Sequence, residues 1–202
     1  PDSLDAYYLL IHAHFPILPP PSATLSDEQH AHPAQENDVI GPESPLFHAI
    51  ATLVALIPKR AESECNAINT RAARHDYAEC CCRLALTGVE RDMDASGPPT
   101  RSRLHQDVPV HLESTIASLL VAVYEYSYRG TMMRARTRMA SVITMAIDLG
   151  LHDVGLDNTP ESECKQRTWF MIVSRTNNRS TLKPSDREFQ LFFANKLSII
   201  HH

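Results

Sequence analysis

Apolar residues recur at the three- to four-residue spacing of α-helices in six segments of this chain, and the alternating runs typical of strands are few. The first segment begins after Ser3, a good N-cap, and ends at Pro16. A polar stretch rich in proline and histidine is predicted to form a loop over about residues 22–41. Ser44 and Pro45 then offer a capping hydroxyl and a first-turn proline to a second helix. The predicted inward positions of these two helices are Leu4, Tyr7, Tyr8, Ile11 and Phe15, then Leu46, Ile50, Leu53, Val54 and Ile57.

A third helix is predicted from about residue 62 to residue 87, with Gly88 as its stop. Residues 90–111 are charged and carry Gly-Pro-Pro at their centre, which predicts a long loop. The predicted inward stripe of this third helix consists of Ala73, Tyr77, Cys80, Cys81 and Leu84.

The clearest helical periodicity lies in the second half of the chain. The fourth predicted helix ends near Gly130 and the fifth at Gly150, and since only a Gly-Thr corner separates them, we expect two amphipathic helices in an antiparallel pair. A last helix opens at residues 158–160, with Glu161 and Glu163 near its positive N-terminal end. The predicted inward positions are Ile116, Leu119, Leu120, Val123 and Tyr124, then Met139, Val142, Ile143, Ala146 and Ile147, then Trp169, Phe170 and Ile172.

Composition agrees with a single all-α domain. The chain has 202 residues, 43% of them hydrophobic, and carries 14 prolines against 6 glycines. A chain of this length can bury a sizeable core without disulfide bonds or metal ions. Its 5 cysteines are odd in number and three are consecutive, which indicates a reducing compartment rather than a secreted disulfide framework.

Charge and hydropathy exclude two classes of partner for this segment. The net charge of −5 argues against a DNA-binding surface, because phosphate contact requires a basic face. The longest apolar run, residues 116–124, is too short to span a bilayer, so no membrane partner is predicted. The sequence begins at Pro1 without a methionine, and we therefore expect it to be a fragment of a longer protein.

The consecutive cysteines Cys80, Cys81 and Cys82 raise the question of a metal site. Successive side chains on a helix point about 100° apart, so these three cannot converge on one ion. No Cys-x-x-Cys pair is present, and Cys65 and Cys164 stand alone. We interpret the cysteines as small buried hydrophobic residues.

Two histidine pairs have close spacing. His12 and His14 would lie on opposite sides of a helix and cannot chelate together. His30 and His32 lie in the predicted loop, but no carboxylate or cysteine recurs near them at ligand spacing. His30 and His32 are therefore interpreted as solvated loop histidines.

The dipeptide His75-Asp76 resembles part of the ligand set of metal-dependent phosphohydrolases. Further histidine and aspartate ligands at suitable helical positions are not evident. A helical metal-dependent hydrolase that uses His75, Asp76 and loop histidines therefore stays an alternative function. The prediction is that the chain is not an enzyme, with no catalytic, cofactor-binding or metal-binding residue.

Arg134, Arg136 and Arg138 form a basic cluster in which Arg136 points away from the other two. We interpret it as a solvated helix face, and a contact with a partner protein is the alternative. The methionines at positions 132, 133, 139 and 145 are interpreted as core residues rather than as a ligand groove.

Several segments, read in order, resemble the fungal-specific transcription factor domain, the middle regulatory region of zinc binuclear cluster activators and repressors. The most specific part is a helix that ends in Leu-Gly-Leu-His, followed by an acidic stretch, basic residues and an aromatic pair. The matching segments are LDAYYLLIHAHFPIL at 4–18, SPLFHAIATLVAL at 44–56, STIASLLVAVYEYSYRG at 114–130, RMASVITMAIDLGLH at 138–152 and ESECKQRTWFMI at 161–172.

The resemblance implies an all-α regulatory fold in a nuclear protein that controls transcription by RNA polymerase II. It implies partners in the transcription machinery or self-association of dimerising parent proteins. DNA and zinc would be bound only by a separate N-terminal cluster of six cysteines in the parent, so no cofactor is expected in this chain. A helical scaffolding domain without a link to transcription is a further alternative.

The chain departs from the family pattern at both ends. The six-cysteine cluster is absent, and so are the helices that follow the aromatic pair. We therefore predict a partial regulatory domain over residues 1–172, incomplete at its C-terminal end. Residues 173–202 are polar and unperiodic, and are predicted to be an atypical tail that is mis-translated, as an intron or shifted frame, or disordered.

Overall fold

The computed structural model describes residues 3–19, 44–57, 67–95, 97, 104–105, 107–153 and 159–177. These ranges contain six α-helices and no strand, which confirms the predicted all-α fold class. None of these helices is both long enough and apolar enough to cross a lipid bilayer. The helices are α1 (Ser3–Leu10), α2 (Pro45–Ala55), α3 (Ala67–Asp94), α4 (Val110–Ser127), α5 (Met132–Asp148) and α6 (Pro160–Asn177), with a short 3-10 helix (Leu151–Asp153) between α5 and α6.

Helix α4 lies at the centre of the fold. It packs against α2, α3, α5 and α6, and every residue from 112 to 125 is buried. A helix that is buried on all sides needs partners for its polar side chains as well as for its apolar ones. The prediction of an amphipathic helix is therefore wrong for α4, because helices of the core surround it.

The start of α2 follows the predicted capping pattern. The hydroxyl of Ser44 accepts a hydrogen bond from the backbone N–H of Leu46 at 3.1 Å, and Pro45 occupies the first turn. This satisfies one of the N–H groups that a helix leaves without a partner at its start. The predicted N-cap is confirmed.

Gly88 does not stop α3, which continues to Asp94. It lies instead in close contact with the start of α2: a Cβ atom built on Gly88 would be 3.0 Å from the Cβ of Pro45. The glycine serves helix packing rather than helix termination. The predicted stop at Gly88 is wrong, and part of the predicted loop 90–111 is helical.

Replacing Gly88 by valine should therefore destabilise the protein by about 2 kcal/mol, because an overpacked core loses about 1–3 kcal/mol. Replacing Gly88 by alanine should change stability much less, since a gain of about 1 kcal/mol in helix propensity opposes the close contact. Urea unfolding of both variants measures the difference. Equal stability of the valine variant and the parent chain would contradict the close approach.

The buried face of α3 differs from the predicted one. The predicted positions Ala73, Tyr77, Cys80 and Leu84 are exposed, and Cys81 alone of that stripe is buried. Small side chains on the buried face let α3 pack closely on α2 and α4. That buried face consists of Ala78, Cys81, Cys82, Ala85, Gly88 and Val89.

Two glycines end the helices of the α4–α5 pair. Gly130 and Gly150 both have φ of +66°, the left-handed conformation that glycine adopts without steric cost. Leu151, directly after the second glycine, is buried against the preceding structure. These corners match the sequence prediction, and α5 packs back on α4 as an antiparallel pair requires.

The first helix is shorter than predicted, since α1 ends at Leu10 and turns follow up to His14. The buried phenol of Tyr7 organises the chain beyond it. Its hydroxyl donates to the carbonyl of Phe15 and accepts from the backbone N–H groups of Ile17 and Leu18, each at 3.2 Å. A side-chain hydroxyl, rather than continued helix, thus pairs these backbone groups.

Helix α6 begins as predicted, with the Thr159 hydroxyl accepting from the N–H of Ser162 at 3.1 Å. Of its predicted aromatic anchors, Trp169 packs against the core, whereas Phe170 is 69% exposed, so the prediction is wrong for Phe170. The helix passes the predicted domain boundary at residue 172 without a break and ends at Asn177. The prediction for the rest of the tail lies outside the described residues.

Candidate functional site

The consecutive cysteines do not come together. The thiol of Cys80 is exposed, while Cys81 and Cys82 are buried, so the prediction of buried cysteines is wrong for Cys80. Burial raises the pKa of the Cys82 thiol to about 11 and also raises the pKa of Cys164. Such thiols are poor nucleophiles at neutral pH.

Side chains considered as metal ligands remain dispersed. The His75 and Asp76 side chains approach to 4.0 Å, both largely in solvent. Across the described ranges, no three histidine, cysteine, aspartate or glutamate side chains are grouped so that they could hold a metal ion. His30, His32 and Cys65 lie outside the described residues.

Two fully buried glutamates on α4 fix its neighbours. Glu113, near the start of α4, accepts hydrogen bonds from the Ser44 hydroxyl at 2.6 Å and from the Leu104 backbone N–H at 2.8 Å. The residue that caps α2 is thus also tied to α4. Charge-assisted bonds of this kind are about twice as strong as neutral ones, and here they join three separate parts of the chain.

Glu125, near the end of α4, is paired with arginine. Its two carboxylate oxygens accept hydrogen bonds from Nε and Nη2 of Arg138 on α5, both at 2.9 Å. A second guanidinium, that of Arg129, lies 3.9 Å from the same carboxylate. The bidentate geometry sets both the distance and the orientation between α4 and α5.

The same arrangement continues to α3. Glu79 accepts hydrogen bonds from Arg129 and, at 2.6 Å, from the Tyr124 hydroxyl. Burial raises the pKa of Tyr124 well above its usual range. We call these five residues the glutamate–arginine network: Glu79, Tyr124, Glu125, Arg129 and Arg138. The network joins α3, α4 and α5, and its members form hydrogen bonds with one another.

A second polar group surrounds Arg167 on α6. Its guanidinium donates to Glu163 at 2.8 Å, and its positive charge contributes to the pKa shifts of Tyr7, Tyr8 and His12. Burial raises the pKa of Tyr7 to about 12, and burial, with Arg167 as a second cause, lowers the pKa of His12. The rings of Tyr7, Tyr8 and His12 pack together, with centroids 5.3–5.7 Å apart.

Three buried polar atoms lack a hydrogen-bond partner among the described residues: Nδ1 of His12, Oγ1 of Thr115 and Nε of Arg167. Buried polar atoms in folded proteins are normally paired. His105, whose pKa burial lowers, also feels the charge of Arg167. The group around Arg167, hereafter the Arg167 cluster, is therefore the candidate functional site: Tyr7, Tyr8, His12, His105, Cys164 and Arg167.

Sequence reasoning missed both polar groups. The basic cluster on α5 divides in the structure, because Arg138 binds Glu125 while Arg134 and Arg136 are exposed. Interpreting all three arginines as a solvated face is thus wrong for Arg138. The four-residue spacing of Glu125 and Arg129 was a usable signal for an ion pair.

Of the four methionines interpreted as core, Met139 is buried, Met145 packs against the core, and Met132 and Met133 are exposed. The core interpretation is therefore wrong for the last two. Both lie in the first turn of α5, at the corner after Gly130, where side chains have few neighbours.

No family model, curated protein or solved structure matches the chain.

Proposed function

We propose that the chain is the regulatory, non-DNA-contacting domain of a zinc-cluster transcription factor, acting in the nucleus on RNA polymerase II transcription. One observation carries the proposal: the segments with the most specific resemblance, residues 114–130, 138–152 and 161–172, coincide with α4, α5 and α6 and the corners between them. Helices α4 and α5 end at the glycines that the resemblance singles out, Gly130 and Gly150, and Leu151 is buried as a Leu-Gly-Leu corner requires. The other resembling segments lie on α1, with the turns after it, and on α2.

Electrostatics support a role without direct DNA contact for this segment. The net charge is −5, and one arginine of the basic cluster, Arg138, is committed to a buried glutamate. DNA and zinc binding would belong to a cysteine cluster of the longer parent. This domain would contact proteins of the transcription machinery and mask or present activating surfaces.

Exposed apolar side chains on α5 and α6 support a role in protein contacts. Met133 is 72% exposed, and Ile147 and Phe170 are also exposed. Large apolar side chains at a surface are candidates for interface anchors. The Arg167 cluster would be the place for a small polar effector, since its buried donors and acceptors are incompletely paired.

The proposal is tested in the full-length parent with a reporter gene. Deleting residues 4–172 while keeping the DNA-binding end should change reporter expression: upwards if the domain masks an activating surface, downwards if it presents one. A subtler variant is Val142→Asp on the buried side of α5, with Thr144→Asp, on the exposed side of the same helix, as matched control. Protein level and promoter occupancy are measured in parallel.

An unchanged reporter under every nutrient condition, at equal protein level, would refute the regulatory role. Two cheaper observations separate the alternatives. Codons upstream for Cys-x-x-Cys-x-x-x-x-x-x-Cys, repeated within a short stretch among lysines and arginines, would support the proposal. Stoichiometric metal in the purified chain would instead favour the hydrolase.

A further inference from the structure

Helix α3 carries an exposed stripe with the spacing of a coiled-coil interface. Its members follow one another at intervals of four, three, four and three residues, the 3.5-residue average that keeps one side of a helix facing a partner helix. Tyr77 is 58% exposed and Leu84 47% exposed. The α3 stripe consists of Ala73, Tyr77, Cys80, Leu84 and Thr87, all of them exposed.

We propose that the α3 stripe pairs antiparallel with the α3 stripe of a second copy of this chain. The stripe alternates between the two core positions of a heptad, a (Tyr77 and Leu84) and d (Ala73, Cys80 and Thr87). In an antiparallel pair, each core layer combines an a residue of one helix with a d residue of the other. In one register Leu84 packs on Ala73 of the partner subunit, and Tyr77 packs on Cys80 of the partner subunit. Each layer then combines a large side chain with a small one, which favours close packing.

Charges beside the stripe select this register. Asp76, whose side chain is 87% exposed, and the exposed Arg83 flank the stripe on its solvent side. In the register above, Asp76 faces Arg83 of the partner subunit, and twofold symmetry produces this pair twice. One heptad further along, Arg83 would face Arg83 of the partner subunit, and Asp76 would face Glu90 of the partner subunit. Like charges therefore oppose the alternative.

Self-complementarity identifies the occupant as a second copy rather than an unrelated helix. A twofold interface uses the same surface on both subunits, so one stripe must supply both the large and small residues and both signs of charge. The α3 stripe and its flanking residues do so. The inference does not depend on the proposed regulatory function.

A charge exchange tests the pairing, with dimerisation of the full 202-residue chain measured by sedimentation equilibrium. Asp76→Arg places like charges opposite each other at two positions and should raise the dissociation constant by at least about tenfold. The double variant Asp76→Arg/Arg83→Asp restores opposite charges and should return the constant to near its original value. Asp148→Arg, an equal charge change at an exposed site on α5, is the matched control and should have no effect.

Circular dichroism of each variant verifies that the helices are retained. A chain that stays monomeric at all concentrations would overturn the proposal. So would a dimer that is equally sensitive to Asp148→Arg and Asp76→Arg, or one that the double variant does not recover.

Discussion

Replacing Arg138 by methionine is expected to lower the free energy of unfolding by about 3 kcal/mol, because removal of one partner leaves an uncompensated buried charge. Glu125 is fully buried and accepts both of its close guanidinium hydrogen bonds from Arg138. Arg129, 3.9 Å away, is already bonded to Glu79 and compensates only in part. Urea unfolding measures the loss.

Arg136→Met is the matched control, since Arg136 is exposed on the same helix and its replacement should change stability by less than about 0.5 kcal/mol. The double variant Glu125→Gln/Arg138→Met removes the stranded charge and should recover a large part of the loss. A loss below about 1 kcal/mol for Arg138→Met would contradict the prediction, because it would mean that this ion pair contributes no more to stability than a solvent-exposed pair does.

The start of α2 and the corners at Gly130 and Gly150 could be predicted because their signals are local. Ser44 before Pro45 supplies a cap within two residues, and Gly130 and Gly150 supply left-handed turns at the position where they stand. Such features depend on the backbone of a few neighbouring residues. The sequence alone was sufficient to predict these caps and corners, and to predict the all-α fold class.

The orientation of α3 could not be predicted, since it depends on the shape of two other helices. The helix has two apolar faces, one rich in small residues and one with Tyr77 and Leu84. Hydrophobicity favours the second face, but close packing against Pro45 requires Gly88 and its small neighbours on the first. Pro45, the contact that favours the small face, lies on another helix, more than 40 positions before Gly88.

The glutamate–arginine network could not be predicted for a related reason. A charged residue on a helix is exposed in most proteins, so Glu125 and Arg138 taken singly indicate solvent. Only the burial of α4 on every side makes their pairing necessary.

Replacing Tyr7 by phenylalanine is expected to lower the free energy of unfolding by about 2 kcal/mol, because a buried group left unsatisfied costs about 1–3 kcal/mol. The Tyr7 hydroxyl pairs with three backbone groups, those of Phe15, Ile17 and Leu18, and the side chain is fully buried. Since the Ile17 N–H also donates to the Phe15 carbonyl at 2.8 Å, the Leu18 N–H is the group that loses its partner in the variant. Phenylalanine preserves the ring and its packing, so the variant isolates the hydroxyl.

Tyr8→Phe provides the internal comparison, since its hydroxyl makes one bond, to the carbonyl of Pro19 at 2.9 Å, and is only partly buried. Loss of that bond should cost about 1 kcal/mol. Thermal and urea unfolding of both variants, with amide hydrogen exchange at Ile17 and Leu18, measures the contrast. In Tyr7→Phe the Leu18 amide should exchange faster, and the Ile17 amide should change less because it also donates to the Phe15 carbonyl, while in Tyr8→Phe both amides should remain protected. Equal stability losses in the two variants would show that the turn after α1 is held by packing alone and not by the phenol.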